Sequence, residues 1–357
     1  MGDTNDKPQS QNWEVVEYNL KEASSELLDK YYVIYSQLYK EEHPDEPLLP
    51  LDILKERIQR NDPSWCNRYF AVFKNDAYAG TGSMQFLKPG VEADEFKFLS
   101  TFYIRTLPEY RRKGVGTAIL KKMTQETLKM GIKTIEMYSM LDSGKSFCGH
   151  FQGKVVNNFG FNRLDIKDID WRMVESWKIE AETKTPDTKI EFHERLTGKD
   201  WDQYLEMQVA FFKELSLFDE EPLFDEEFFR KDFVEYEKKR IEEGTRDAVI
   251  AVAREADGTI IGYTEISYDK REPHKIDQDM TGVLKERRGK NLGKRLKAEM
   301  LLKIRDTKPD VIFIATGNDT KNKHMLKING ELGFKQSSLS LGYSFKIHDL
   351  ATKLGLE

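Results

Sequence analysis

The chain has 357 residues, enough for two domains that each bury a core. A third of its residues are charged, and 56 Lys and Arg against 62 Asp and Glu leave a net charge of −6. That acidic balance excludes wholesale binding to nucleic acid or to an anionic membrane surface, so any basic cluster reads as a local site for an anionic ligand.

The first 12 residues are polar, lack the apolar stretch of a signal peptide, and are expected to form a disordered lead-in. Alternation predicts a strand over 13–18, and apolar periodicity a helix over 21–42, with Tyr31, Tyr32, Tyr35 and Tyr39 as packing residues. Pro44, Pro47 and Pro50 punctuate the loop before a short helix at 51–60. Strands at 68–73 and 79–86 around Asn75-Asp76 predict a hairpin. A strand at 96–105, a helix at 115–129 and a strand at 133–140 complete the first series.

The second half repeats this order. A strand at 190–194, helices at 200–215 and 226–243, a hairpin of 248–253 and 260–268 around Asp257-Gly258, and strands at 276–284 and 311–316 follow one another. Trp13 matches Ile190 at an offset of 177, Gly80 matches Gly262 at 182, and Phe161 matches Phe334 at 173, offsets that drift as loop insertions would make them. Polar composition and Pro186 place a linker at 179–188, between domains 13–178 and 189–357. Phe211, Phe212, Phe228 and Phe229 are read as core of the second domain. Cys66 and Cys148 are too few for a disulfide framework and have no partner at metal-ligand spacing, which suggests a reducing cytoplasm and no metal. No run approaches membrane-spanning length.

Two basic loops stand between a strand and a helix, 177 residues apart: Arg111-Arg-Lys-Gly114-Val-Gly116 and Arg288-Gly-Lys-Asn291-Leu-Gly293. Such a loop offers backbone N–H groups, the positive end of a helix dipole and cations to one anion, which makes it a phosphate cradle. Arg112, Lys113, Arg287, Lys290, Lys294 and Arg295 stand beside the two helix starts. The third glycine of a dinucleotide fingerprint and the Gly-Lys-Ser/Thr of a P-loop are both missing.

On these loops each half resembles a GCN5-related N-acetyltransferase (GNAT) domain, and the tandem resembles the mycothiol-synthase type of double-domain acetyltransferase. The resemblance covers nearly the whole chain after the first dozen residues. It implies an α/β fold, a mixed α+β sheet in each of two tandem GNAT-like domains, and acetyl-CoA as co-substrate. The pyrophosphate would lie on Arg111, Arg112, Lys113, Gly114, Val115 and Gly116, and on Arg288, Gly289, Lys290, Asn291, Leu292, Gly293 and Lys294. Asn291 replaces the first glycine of the motif, a change compatible with a left-handed backbone at asparagine.

The resemblance also implies that Asn322 hydrogen-bonds the CoA arm, unless it is a plain helix cap; the first half has Gly149 at that place. The family's glutamate base falls on Asp277 in the second half and on Ser100 in the first. Asp277 and Asp279 share one face of a strand, and Glu265 on the adjacent strand is a further candidate. Backbone amides at Gly282 and Val283 would polarise the thioester carbonyl. The tyrosine that often protonates the thiolate is replaced by Asn329 and Val156. The C-terminal half is therefore expected to be catalytic, by direct attack of a primary amine of a small molecule or peptide in a ternary complex. The N-terminal half is expected to be degenerate, with CoA binding left open. The alternative is a non-catalytic acyl-CoA-binding regulatory protein.

Overall fold

A computed structural model describes residues 13–60, 62, 64–91, 98–214, 225–244 and 246–357. The expected lead-in 1–12, residues 96 and 97 of the strand expected at 96–105, and residue 215 at the end of the helix expected at 200–215 lie outside the described residues. In chain order the elements are β1 Val16–Tyr18, α1 Ser25–Glu42, α2 Leu51–Gln59, β2 Trp65–Lys74, β3 Ala77–Leu87, β4 Leu99–Thr106, α3 Val115–Lys129, β5 Thr134–Ser139, α4 Asp142–His150 and β6 Lys154–Asp165. They continue with α5 Trp171–Lys184, β7 Lys189–His193, α6 Gly198–Glu214, α7 Glu226–Glu243, β8 Arg246–Arg254, β9 Ile260–Asp269, β10 Lys275–Val283, α8 Leu292–Thr307, β11 Phe313–Asp319, α9 Lys323–Leu332, β12 Lys335–Lys346 and α10 Ile347–Lys353.

Two compact units result, and they are not the two halves of the sequence. One takes the chain as far as Val156 together with Leu341–Glu357; the other is Asn157–Ser340. Strand β6 closes the first half in sequence, yet from Asn157 it belongs to the second unit and pairs antiparallel with β11, Gly160 opposite Asn318. Strand β12 closes the second half, yet from Leu341 it pairs antiparallel with β5 in the first unit, Tyr343 opposite Met137. Each unit thus receives its last strand from the other half of the chain. The stretch 179–188 is not a free connector either: its first six residues finish α5, which lies wholly within the second unit. Only a narrow stripe of α5, Val174, Trp177 and Ala181, is buried, and its polar remainder reads as linker in the sequence.

In the first unit the order is β1-β2-β3-β4-β5-β12, antiparallel except for the parallel pair β4·β5. Asn75 and Asp76 both take positive φ, 49° and 61°, the turn that the twist of a two-residue hairpin loop needs. Helix α3 lies against β2, β3 and β4, seated by Gly82, where a Cβ would come within 2.4 Å of Ile119 Cγ2. The core of Phe70, Phe102, Ile119, Leu120 and Met123 continues into Ile347 and Leu350 of α10. The α1 tyrosines pack as expected: Tyr35 stacks on Tyr39, and Tyr32 donates to the Leu49 carbonyl.

The second unit repeats the plan as β7-β8-β9-β10-β11-β6, with β10·β11 its parallel pair. Neighbouring positions on β9 point to opposite faces. On one, Leu296 of α8 meets Gly262; on the other, Phe211 of α6 stacks on Tyr263 at 5.7 Å and covers Gly282. Phe211 and Phe228 are buried, and Phe212 meets Phe229 at 4.7 Å.

The strand exchange has a measurable consequence. Tyr343, Phe345, Ile347, Leu350 and Leu354 are all buried in the first unit. At about 1.5–3 kcal/mol each, their burial rivals the roughly 5–15 kcal/mol that holds an ordinary domain folded. A chain ending at Ser340 is therefore expected to unfold its first unit and expose Cys148, now 2% exposed, to a thiol reagent. Continued protection of Cys148 in that truncated chain would contradict the assignment.

Candidate functional site

Both basic loops fold alike. Gly114 caps α3 with φ +88°, and Asn291 caps α8 with φ +62°. Two residues earlier Arg112 and Gly289 are also left-handed, at +60° and +86°. Each loop needs two such positions and fills one with glycine; the substitution at 291 is accommodated because asparagine tolerates this region. Neither cap residue accepts a helix amide with its side chain, so the first-turn N–H groups of α3 and α8 remain available to an anion.

The arginines that open the motifs brace the loops. Arg111 Nε donates to the Thr106 carbonyl at 3.1 Å, and its guanidinium holds Glu41 at the end of α1. Arg288 Nε donates to the Val283 carbonyl at 2.9 Å and holds Glu214 at the end of α6 at 2.6 Å. Arg287 pairs with Glu255 at 2.7 Å, while Lys294 pairs with Glu331 and lies 4.2 Å over the Trp177 ring. Arg295, placed beside the phosphates by its sequence position, is instead buried, its Nη1 3.0 Å from the Thr188 carbonyl just beyond α5. The helical turn of α8 points it inward. Lys113 lies over Tyr110, and its carbonyl accepts Trp13 Nε1 at 2.7 Å. Arg112 and Lys290 are exposed and have no ion pair among the described residues.

The surroundings of the loops differ. A Cβ on Gly293 would meet nothing nearer than Val283 Cγ2 at 3.9 Å, whereas one on Gly116 would stand 3.4 Å from the Phe147 ring. Val115 and Leu292 anchor their helices in the cores. The parallel pair stops early in both units, β10 and β11 pairing only at Lys275, Ile276 and Asp277 and β4 and β5 only from Leu99 to Phe102, although all four strands run on, so an open edge follows in each. The β9–β10 register slips by one residue between Gln278 and Thr281, which sets Asp279 and Met280 against Glu265 in a β-bulge. The corresponding β3–β4 ladder is unbroken from Gly80↔Thr106 to Phe86↔Ser100.

Leu284 donates its amide to Ile261, and the alternation of an antiparallel ladder then turns Gly282 toward β9 and Thr281 and Val283 toward the open edge. Of the two amides expected to polarise a carbonyl, Val283 is thus the one that faces the gap. Asn322 is the cap of α9, its Oδ1 accepting the Met325 amide at 3.1 Å; Gly149 lies within α4.

The bulge gathers the carboxylates. Glu265 is buried and accepts the Tyr204 hydroxyl at 2.6 Å, which in turn accepts Gln208 Nε2. Burial first, and the Asp279 charge second, push the Glu265 carboxyl up to about 8. Asp279 is open to water by its accessible area although protein surrounds it on most sides, as at the mouth of a recess; that environment raises it to about 6. Asp277, the match to the family's base, is held by Arg246 at 2.7 Å and Lys275 at 3.4 Å. Asp277 stands opposite Ser267 and Asp279 opposite Glu265, alternate residues of β9, so the two share one face and the Asp277 charge helps to raise Asp279; the extra residue of the bulge falls after them. Tyr204 and Gln208 escaped the sequence reading; their spacing of four on one face of α6 was the available signal.

Residues 28–145, which contain the first loop, match the model of the Acetyltransferase (GNAT) family. No curated protein matches the sequence. The tandem GNAT protein from the clavulanic acid biosynthesis pathway superposes on 94% of this chain and 99% of its own, with a TM-score of 0.70 and 17% identity. A GCN5-related N-acetyltransferase from Sphaerobacter thermophilus does so over 93% and 96%, at 0.62 and 13% identity. The glucosamine N-acetyltransferase region of a fungal multi-domain beta-N-acetylglucosaminidase covers 93% of this chain and 38% of its own, at 0.63 and 15% identity. At these identities the likeness is one of fold. Among the described residues no helix is long and apolar enough to cross a membrane, and no group of three His, Cys, Asp or Glu is placed to hold a metal ion. The chain carries a domain of the acetyltransferase (GNAT) family at residues 28–145 and has, across its two units, the mixed α/β fold of the tandem GNAT proteins.

Proposed function

We propose that the protein is an acyl-CoA-dependent N-acetyltransferase whose second unit moves an acetyl group to a primary amine of a small molecule or peptide. The observation that carries this reading is the Glu265–Asp279 pair at the β10 bulge, beside an open strand edge and a helix whose first amides lack a side-chain cap. The α8 loop fits a diphosphate, since Gly289 and Asn291 turn the backbone, Gly293 leaves room for close approach, and Lys290 adds an unpaired charge. Acetyl-CoA would supply an acyl group already activated as a thioester.

This chain's own groups account for the remainder. The Val283 amide at the open edge is positioned to polarise a carbonyl oxygen. Several carboxylates favour a cationic acceptor, and Asp279 at the mouth takes a proton from the ammonium, with Glu265 behind it as the second site of a coupled pair. The neutral amine attacks the thioester carbonyl, the C–S bond breaks, and the proton shed by the new amide nitrogen goes to the departing sulfur, which leaves as free thiol. The Arg288–Glu214 tie holds the loop against α6, the wall of the acceptor side.

One observation favours a second reading: the family match lies on the unit that has the full glycine motif but neither bulge nor carboxylate pair. In that case the first unit holds acyl-CoA and the chain acts as a binding protein.

With acetyl-CoA and an amine panel, followed by thiol release, kcat/KM is expected to rise with pH through a limb near 8, where the second carboxyl of the pair ionises. Asp279→Asn removes the group that takes the ammonium proton and is expected to lose about 100-fold or more in kcat/KM; it also removes the like charge that raises Glu265, so the residual limb moves to lower pH. Glu265→Gln is expected to lose about 100-fold or more. Wild-type rate and pH profile in Glu265→Gln would sink the proton-transfer role. Asp277→Asn, which touches only an ion pair, is expected to keep kcat/KM within a few-fold. Gly293→Glu puts a carboxylate where the diphosphate is expected and should abolish both CoA binding by calorimetry and turnover, whereas Gly116→Glu should spare turnover. The reverse pattern assigns catalysis to the first unit.

A further inference from the structure

A cavity of about 460 Å³ lies in the second unit between the α6 start and the later turns of α7. That is the size of a small-molecule site. Leu196, Trp201, Val234, Ile241 and Ile250 give it an apolar body, with Arg195, Glu237, Lys238 and Glu242 also in its lining. A larger hollow of about 590 Å³ along the first half of α7 is lined almost wholly by charged side chains, Glu226, Glu227, Arg230 and Lys231 among them, and stands apart from the carboxylate pair.

Two observations connect the smaller cavity with the bulge. Ile250 of its lining stands directly opposite Glu265 in the β8–β9 ladder, and cross-strand neighbours on one face come within about 5 Å at their Cβ atoms. Glu237, held by Arg240 at 2.7 Å, is close enough for its charge to act on both Glu265 and Asp279. From β8 to β10 is two strand spacings, about 10 Å. Trp201 stacks on Phe233 at 6.0 Å, so the α6 side of the cavity is rigid and aromatic.

We infer that this cavity holds the apolar body of the acceptor, and that the substrate class is a primary amine on an aryl-alkyl or comparably apolar chain, its ammonium reaching past Glu265 toward Asp279. Small hydrophilic amines lack a group to cover the apolar side chains of the cavity. The inference rests on the acyltransferase reading for its direction, and on the cavity for its content.

The test compares 4-phenylbutylamine with n-propylamine on the full chain, by calorimetry and by thiol release with acetyl-CoA. Wild type is set beside Ile241→Trp and Val234→Trp. Both positions are part-exposed, 40% and 37%, so a larger ring fills the cavity from its rim, and the melting temperature shows whether the variants fold. Wild type is expected to prefer 4-phenylbutylamine by about tenfold or more in kcat/KM. Each tryptophan should remove that preference by lowering kcat/KM for 4-phenylbutylamine and weaken its binding by a similar factor. Equal use of both amines by wild type, or tryptophan variants without effect, overturns the inference and leaves acyl transfer standing. Phenylbutylamine binding that the variants weaken, without thiol release, keeps the cavity and removes the acyltransferase reading. Neither binding nor turnover removes both.

Discussion

The antiparallel ladder between β9 and β10 runs out of step by one residue at Asp279, and most of what distinguishes the second unit depends on that slip. A bulge frees backbone groups that a buried strand must satisfy elsewhere. Here Thr316 donates to the Gln278 carbonyl at 3.0 Å, Gln278 Nε2 donates to the Glu265 carbonyl at 2.7 Å, and Thr264 shares a 2.7 Å hydroxyl bond with Thr281. This small polar network satisfies the bulge, ties β10 to β11 at Gln278 and keeps Asp279 opposite Glu265. An ionised carboxylate buried without a cation is costly, and Glu265 avoids that cost at neutral pH by keeping its proton. The first unit has no such slip, and there the Phe147 ring stands against Gly116 in the first turn of α3.

The exchange of β6 and β12 gives the duplication a different character from two domains in series. Each unit obtains its closing strand from the far half of the chain, so neither half of the sequence is a folding unit. The two loops show how conservative the repeat is in backbone and how free in side chains. Both begin with an arginine bonded to the end of a strand, both pass through two left-handed residues, and both start a helix without a side-chain cap. What the cations around them do is largely local, since most are matched to a glutamate of their own unit.

Much of this was legible in the sequence because it is local. The helices at 115–129 and 226–243 were placed to the residue, the Asn75-Asp76 turn followed from its chemistry, and the repeat announced both loops. The strand exchange was not legible: β6 and β12 carry ordinary strand composition, and nothing within a strand says which partner it will find. The bulge was hidden for a related reason, since one surplus residue between Gln278 and Thr281 alters pairing without altering pattern. Asp277 and Asp279 stay on one face, as a regular strand would place them, because Ser267 and Glu265 opposite them are alternate residues of β9; what the bulge changes is Thr281, which turns to the other face beside Thr264. Arg295 is hidden for a similar reason: charge suggests an outward ligand where helix phase turns it inward to a backbone carbonyl. The polar face of α5 passed for a linker because a helix with a narrow buried stripe looks like one.

The two left-handed positions of the loops are filled in complementary ways. The first loop has glycine at 114 and arginine at 112; the second has glycine at 289 and asparagine at 291. A non-glycine residue in this region costs about 1–2 kcal/mol, less for asparagine. Each loop therefore bears that strain once and neither bears it twice, so a side chain added at Gly114 or Gly289 would double it, and the two copies are intolerant at opposite ends of the same turn.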